Sequence, residues 1–459
     1  MIFQRINSEG LAASSYLIGS GREAAVIDPR RDVDVYLCEA REHCMEIKYV
    51  LETHRHEDFA LGSLTLKAAT GASICRGDNT QVTYADRRLK DCDTLAIGGL
   101  MIKVLETPGH TTDSLSYVLY ESDRSEVPLM VFSGDALFAG SCGRVDLNGE
   151  SRRPECAASL YRSLHEKLLP LGDHTLLWPA HGAGSVCGKG ISDRDWTTMG
   201  YERRTNPWLS IDRETFIRKK SEEQPLYPPY FRRMERWNEA GAPPMPAAGG
   251  PKPVDADAFS KAIAGQDVAL VDTRMPTAFA GGHIPGSLNL FLEGMSVFPG
   301  WLVDLEKPVW LLTERPEDAQ TAALYLARIG FDRVEGYLCG GFEKWQNRGL
   351  PIGHVGALSV DALKLMLDAG MIRLIDVREP DEWADGIIPG AELIFLGDLK
   401  GRLPAGPKDS PIAVTCSVGR RGSMGASILR QAGFTNVYNV LGGTTAWMNR
   451  GFPLAEDRP

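Results

Sequence analysis

The nine cysteines of this 459-residue chain include no CxxC pair and follow no regular framework, which argues against a disulfide-stapled secreted protein. Free thiols in a reducing cytoplasm are the expectation. No stretch reaches the roughly 18 consecutive apolar residues that a membrane span requires. The opening residues MIFQRINSEGLAASS have no charged start followed by an apolar run, so no signal peptide is expected. Positive charge is also in short supply: 50 Lys and Arg face 60 Asp and Glu, a formal net charge of -10. That balance offers no field for nucleic acid and no basic patch for a membrane surface. Small-molecule partners are favoured, and the sequence leaves the oligomeric state open, a homo-oligomer included.

What is present is globular. The composition, 43% hydrophobic and 24% charged, supplies apolar material for several cores, and the length exceeds one ordinary domain. Residues 1 to about 215 read as mixed α/β, with short apolar runs such as AAVID (24–28) and IKYVLET (47–53) between helical segments. The stretch 224–254 ends in Ala, Gly and Pro and reads as a linker. Beyond it the chain repeats itself. VDTRMPTAFAGGHIPGS (271–287) recurs as IDVREPDEWADGIIPGA (375–391), and GGFEKWQNRGLP (340–351) as GGTTAWMNRGFP (442–453). Strand runs alternate with helical stretches in both copies, which predicts two sibling α/β domains with mainly parallel sheets. The expected domains are 1–245, 254–353 and 356–459.

The segment ETHRHEDFALG (52–62) carries His54, His56 and Asp58 at two-residue spacing, just where an apolar strand ends. TPGHTTDS adds His110, FSGDALF adds Asp135 and PAHGAG adds His181, each beside Gly or Pro and so in a loop. Six ligand-type side chains in loops after strands point to metal binding. These segments together resemble the metallo-β-lactamase superfamily, over most of residues 1–210. The resemblance implies an αββα sandwich. Its binuclear hydrolases continue with a histidine where this chain has Phe59, and a phenyl ring has no lone pair to offer a second metal. The persulfide dioxygenase branch is similar in further segments: GSCGRVDL (140–147), PAHGAGSVCGKGIS (179–192) and ERRTNPWL (202–209). What that resemblance implies is one Fe(II) per chain held by His54, His110 and Asp135. His56, Asp58 and His181 then orient ligands and water, and Phe59 lines the pocket and keeps it to one metal. Spacing alone does not separate iron from zinc, since both accept imidazole and carboxylate. Arg144 is the candidate for substrate carboxylates or phosphates.

In the second repeat, PIAVTCSVGRRGS (411–423) places Cys416 between an apolar strand and a helical run. A thiolate there meets backbone N–H groups and the charge of Arg420 and Arg421, and a lowered pKa is expected. CSVGRR, DVREPDEW, IIPGA and GGTTAW together resemble the rhodanese family over 356–455. The resemblance implies that Cys416 carries sulfane sulfur as a persulfide, with Arg421 in its loop. Ile387 stands where the family has the histidine that the first repeat keeps as His283. Aligned on the repeat, Cys416 falls on Thr313, and a hydroxyl cannot form a persulfide. The first copy is therefore expected to be inactive.

Together the three domains look like persulfide dioxygenase–sulfurtransferase fusions. A thiol persulfide of the glutathione or coenzyme A type, O2 and sulfite are the implied partners. The implied products are sulfite, free thiol and thiosulfate. Two other readings stay open: a metal-dependent thioester hydrolase of the glyoxalase II type, with Asp58, His56 and His181 as ligands, and a non-redox sulfur relay in which only Cys416 reacts.

Overall fold

The computed structural model describes residues 1–78, 82–121, 127–246 and 250–456. The chain divides into two compact units, Met1–Pro246 with Ala327–Gly330, and Ala247–Leu326 with Phe331–Pro459. No helix among the described residues is long and apolar enough to cross a membrane.

The first unit stacks two six-stranded sheets. One is built in chain order from Ile2–Ser8, Ala13–Ser20, Glu23–Ile27, Glu46–Leu51, Ser73–Gly77 and Arg87–Leu89. The other runs Thr197–Thr198, Leu176–Pro179, Met130–Gly134, Leu115–Glu121, Leu100–Glu106 and Thr94–Ile97. Ala13–Ser20 is buried on both faces for nearly its whole length. That is why it lacks the polar alternation of a half-exposed strand. Tyr16, Ile18, Leu51, Ile102, Tyr117 and Phe132 fill the space between the sheets. Separate apolar layers back each sheet with helices: Val26, Tyr36 and Leu66 on the first, Val131, Leu160 and Phe216 on the second. Those three cores make the αββα sandwich expected from the resemblance.

The second unit holds two five-stranded sheets with the same strand order. The first runs Lys252–Val254, Val334–Leu338, Val309–Leu312, Ala269–Asp272 and Leu288–Asn289; the second runs Gly356–Leu358, Val437–Val440, Ile412–Thr415, Arg373–Asp376 and Ala391–Leu393. Every strand pair in both is parallel. The copies agree in detail. Asp272 pairs with Arg274 and Asp376 with Arg378, while the indoles of Trp345 and Trp447 donate to the carbonyls of Pro351 and Pro453. His283 and Ile387 occupy the same backbone bridge, with N–H groups donating to Gly353 and Ala455 at 3.0 and 2.9 Å. Backbone bonds therefore hold that position, which explains why the imidazole can be replaced.

One expectation needs correction. The stretch 224–254 is not linker throughout: Phe231–Ala240 is an amphipathic helix whose Phe231, Met234 and Asn238 are buried in the first unit. The prolines before it and the Ala-Gly-Pro run after it mark the ends of the helix rather than an absence of structure.

Candidate metal centre and sulfur-carrying loop

The metal loop begins where Glu46–Leu51 ends. Asp28, at the end of the neighbouring strand and in the left-handed region at φ 48°, turns its buried carboxylate onto the loop. Thr53 donates to it through N–H and hydroxyl, both at 2.7 Å. With its own proton so used, the Thr53 hydroxyl accepts from His54 Nδ1 at 2.8 Å. His110 Nδ1 likewise donates to the Arg144 carbonyl at 3.0 Å. Each ring is thus held in the tautomer that leaves Nε2 with its lone pair, the arrangement typical of ligating histidines.

Both Nε2 atoms face Asp135, 3.8 Å from His54 and 3.4 Å from His110 to Oδ2. Glycine on either side lets Asp135 sit there. A Cβ on Gly134, at φ 53°, would meet the Thr53 side chain at 2.8 Å, and one on Gly143 would lie 2.0 Å from the Asp135 carbonyl. His181 Nε2 approaches Asp135 and Asp58 at 3.5 Å each. His56 Nε2 instead lies 3.2 Å from Asp28, and its ring packs 4.6 Å from that of Phe59. The structure therefore gathers all six residues singled out from the sequence.

It also adds two that sequence reasoning missed. Glu57 Oε1 is 3.0 Å from His110 Nε2, and Cys187 groups with Asp135 and His181 within 4.8 Å. Both were in view, Glu57 inside the quoted motif and Cys187 inside the family-like segment. Only folding shows that they turn inward.

Electrostatics fit a cation. His54 Nε2, His110 Nε2, both ring nitrogens of His181 and the carboxylate oxygens of Glu57, Asp58 and Asp135 are buried without a hydrogen-bond partner. Unpaired, such atoms cost about 1–3 kcal/mol each. Glu57 and the lone pair of His110 are two acceptors that need a cation or proton between them. Burial and the neighbouring histidines push the His54 imidazolium well below its ordinary pKa, so it stays neutral. Burial works against charge on His56 too, yet Asp28 and Asp58 hold its pKa well above the usual value. Burial raises Asp135, and it pushes the Cys187 thiol far up.

The loop is braced from the helix Phe231–Ala240. Asn238 donates to the carbonyls of His56 and Phe59 at 2.6 and 2.8 Å and accepts from Leu61 N at 2.9 Å. Tyr230 donates to the Asp58 carbonyl at 2.9 Å. Arg144 departs from its expected role. It is buried, paired with Asp146 through two bonds, and bound to the carbonyls of Val186 and Leu226. With those donors spent, its guanidinium serves as a strut, while its carbonyl orients His110. Arg203 and Arg204 both pair with Asp173.

In the second unit, Ile412–Thr415 delivers Cys416 to a tight loop, where Gly419 N–H donates to Sγ at 3.1 Å. Gly443 packs onto this loop so closely that a Cβ there would lie 2.0 Å from the Cys416 carbonyl. Arg421 points sideways, bonding both Glu382 oxygens at 2.5 and 2.7 Å and the Ser417 hydroxyl at 2.7 Å. Burial opposes charge on Glu382, but Arg421 and Ser417 hold its carboxyl down at about 2. In the first repeat, Val309–Leu312 ends on Thr313, whose hydroxyl donates to the Arg315 carbonyl at 2.9 Å.

Comparison with known proteins agrees with both halves. The metallo-beta-lactamase superfamily model matches residues 9–181, and the rhodanese-like domain model matches 255–348 and 359–450. A crystal structure of a metallo-beta-lactamase from Staphylococcus aureus is 30% identical with a TM-score of 0.66, covering 74% of this chain and 98% of that one. The mitochondrial persulfide dioxygenase ETHE1 of Bos taurus is 31% identical over 211 residues, 44% of this chain and 74% of that protein. A hydroxyacylglutathione hydrolase of Hyphomonas neptunium is 38% identical over 129 residues, 28% of this chain and 47% of that protein. The class is therefore a metallo-beta-lactamase domain followed by two rhodanese-like domains. Within it, the chain belongs to the family of the persulfide dioxygenases.

Proposed function

We infer that the chain oxidises a low-molecular-weight thiol persulfide, of the glutathione or coenzyme A type, and that Cys416 carries sulfane sulfur. Persulfide, O2 and water give thiol, sulfite and two protons. Cys416 thiolate displaces a thiolate from a second persulfide, and sulfite then takes the outer sulfur as thiosulfate, returning the Cys416 thiolate. The observation that carries this reading is the convergence of His54 Nε2 and His110 Nε2 on Asp135, with both Nδ1 atoms tied back. Two histidines and one carboxylate suit one Fe(II) per chain, with zinc as the alternative.

When bound, iron supplies the redox chemistry that O2 requires and leaves positions open to substrate. The protein does the rest. Thr53 and the Arg144 carbonyl fix the imidazoles, Asp28 holds His56 charged and away from ligation, and Phe59 closes that side with an apolar wall. A cavity of about 340 Å³ lies against Gly182–Gly184, the turn that follows His181, and is lined by Arg5, Arg194, Asp193 and Asp195. Its mixed charge suits the polar body of a zwitterionic thiol such as glutathione. The free state of all nine cysteines suits a reducing cytoplasm.

A second reading, thioester hydrolysis, is supported by His181 standing 3.5 Å from both Asp58 and Asp135, a second donor set. One experiment separates the two. Anaerobically purified, Fe(II)-loaded protein is given glutathione persulfide or coenzyme A persulfide while O2, sulfite and thiosulfate are followed. Uptake should vanish in His110→Ala and persist in Cys416→Ala, with product moving from thiosulfate to sulfite. No uptake with either persulfide, at one iron per chain, returns the hydrolase to first place.

A further inference from the structure

The helix Arg420–Gln431 begins at the Cys416 loop and lies along residues 286–291 of the first repeat. Four residues on one face make the contact. Gln431 donates to the Gly286 carbonyl at 2.8 Å, Ser427 Oγ accepts from Asn289 N–H at 3.2 Å, and Ser423 donates to Asn289 Oδ1 at 2.6 Å. The fourth is Arg420, whose guanidinium sits 5.0 Å from the Phe291 ring centre. Asn289 is itself pinned, donating to the carbonyls of Asp272 and Arg274 at 3.1 and 2.9 Å. The first repeat thus fixes the helix that cradles Cys416, from its end to its first residue.

The two arginines of the loop have different fates. Arg421 is neutralised by its two bonds to Glu382. Arg420 is exposed and, among the described residues, forms no ion pair; the face of Phe291 supports it instead. A ring face holds a guanidinium in place without cancelling its charge. The loop therefore keeps one uncommitted cation, and its position is set by the repeat whose own loop carries Thr313 in place of the cysteine.

Resting on the sulfur-carrier reading of Cys416, we propose that Arg420 binds the oxyanion end of the sulfur donor or acceptor, sulfite or thiosulfate. In that proposal Phe291 of the first rhodanese-like repeat is its positioning residue. The inactive copy then works as a platform for the active one.

The test uses the full-length protein and two pairs of reagents. Peptide mass spectrometry follows alkylation at Cys416 by anionic iodoacetate and by neutral iodoacetamide, and persulfidation of Cys416 by thiosulfate is followed in parallel. In Arg420→Gln the iodoacetate rate and the apparent affinity for thiosulfate should fall about fivefold, the worth of roughly 1 kcal/mol of charge attraction near water. The iodoacetamide rate should stay within about twofold, as expected when only a charge is lost. Arg420→Lys should restore most of the anion preference, and Phe291→Leu should lose part of it although every charge is kept. Parallel changes with both alkylating reagents, or no change in their ratio, would overturn the proposal. Failure of thiosulfate to persulfidate Cys416 in the parent protein sinks the carrier reading instead, while the alkylation ratio still reports on Arg420.

Discussion

Asn238 shows how much of a metal site lies outside its ligands. Its side-chain amide uses both donors and its acceptor on the loop that carries His56, Asp58 and Phe59. Asn238→Ala should leave two buried carbonyls and one N–H without partners. Losing outer partners of this kind typically costs 10- to 100-fold in metal affinity. The check is metal content per chain after dialysis against graded chelator; unchanged retention would show that the loop holds its shape unaided. The candidate ligands were legible in the sequence because imidazole and carboxylate side chains recur beside Gly and Pro at strand ends. Asn238 was not legible, because a bond from a side chain to a distant carbonyl leaves no spacing to read. Asp28 was hidden for a related reason: an aspartate ending an apolar strand is ordinary until its φ and its partners are seen. Arg144 misled in the opposite direction, since a buried strut and a substrate clamp look alike in one dimension.

At the scale of elements, the Cys416 loop is tied to the preceding helix by an ion pair, Arg421 with Glu382, and that pair has a pH signature. The Glu382 carboxyl, ordinarily near 4.5, sits at about 2 in the fold. A depressed carboxyl contributes its full stability above the ordinary value and loses it as pH falls through the folded one. The thermal midpoint of Glu382→Gln should therefore lie below that of the parent at neutral pH. The gap should narrow as pH drops from about 4.5 towards 2. A gap that stays constant over that range would mean that the pair contributes nothing and that packing alone sets the loop. The helix after the loop was readable from its periodicity, but its role was not. Arg420, Ser423, Ser427 and Gln431 form a polar stripe, which in a sequence reads as a solvent face. Here the stripe meets backbone groups and Asn289 of the sibling repeat. The helix Phe231–Ala240 was masked differently, by the prolines and glycines at its two ends.

At the scale of the whole molecule, the proposed function puts two chemistries on one chain, and covalent linkage then has a measurable consequence. Two sites carried on one chain can see each other at an effective concentration of roughly millimolar, whatever the dilution of the protein. Sulfite leaving the first unit would then compete for sulfur on Cys416 of its own chain before it meets another. On the proposed function, His110→Ala should keep the carrier and lose the oxidation, and Cys416→Ala should do the reverse. An equal mixture of the two should form thiosulfate, because sulfite diffuses, but its ratio of thiosulfate to sulfite should fall on dilution. In the parent that ratio should hold constant over the same dilution series. Equal dilution behaviour in parent and mixture would mean that sulfur equilibrates with bulk solution before transfer. The fusion would then serve co-production of the two activities rather than transfer between them.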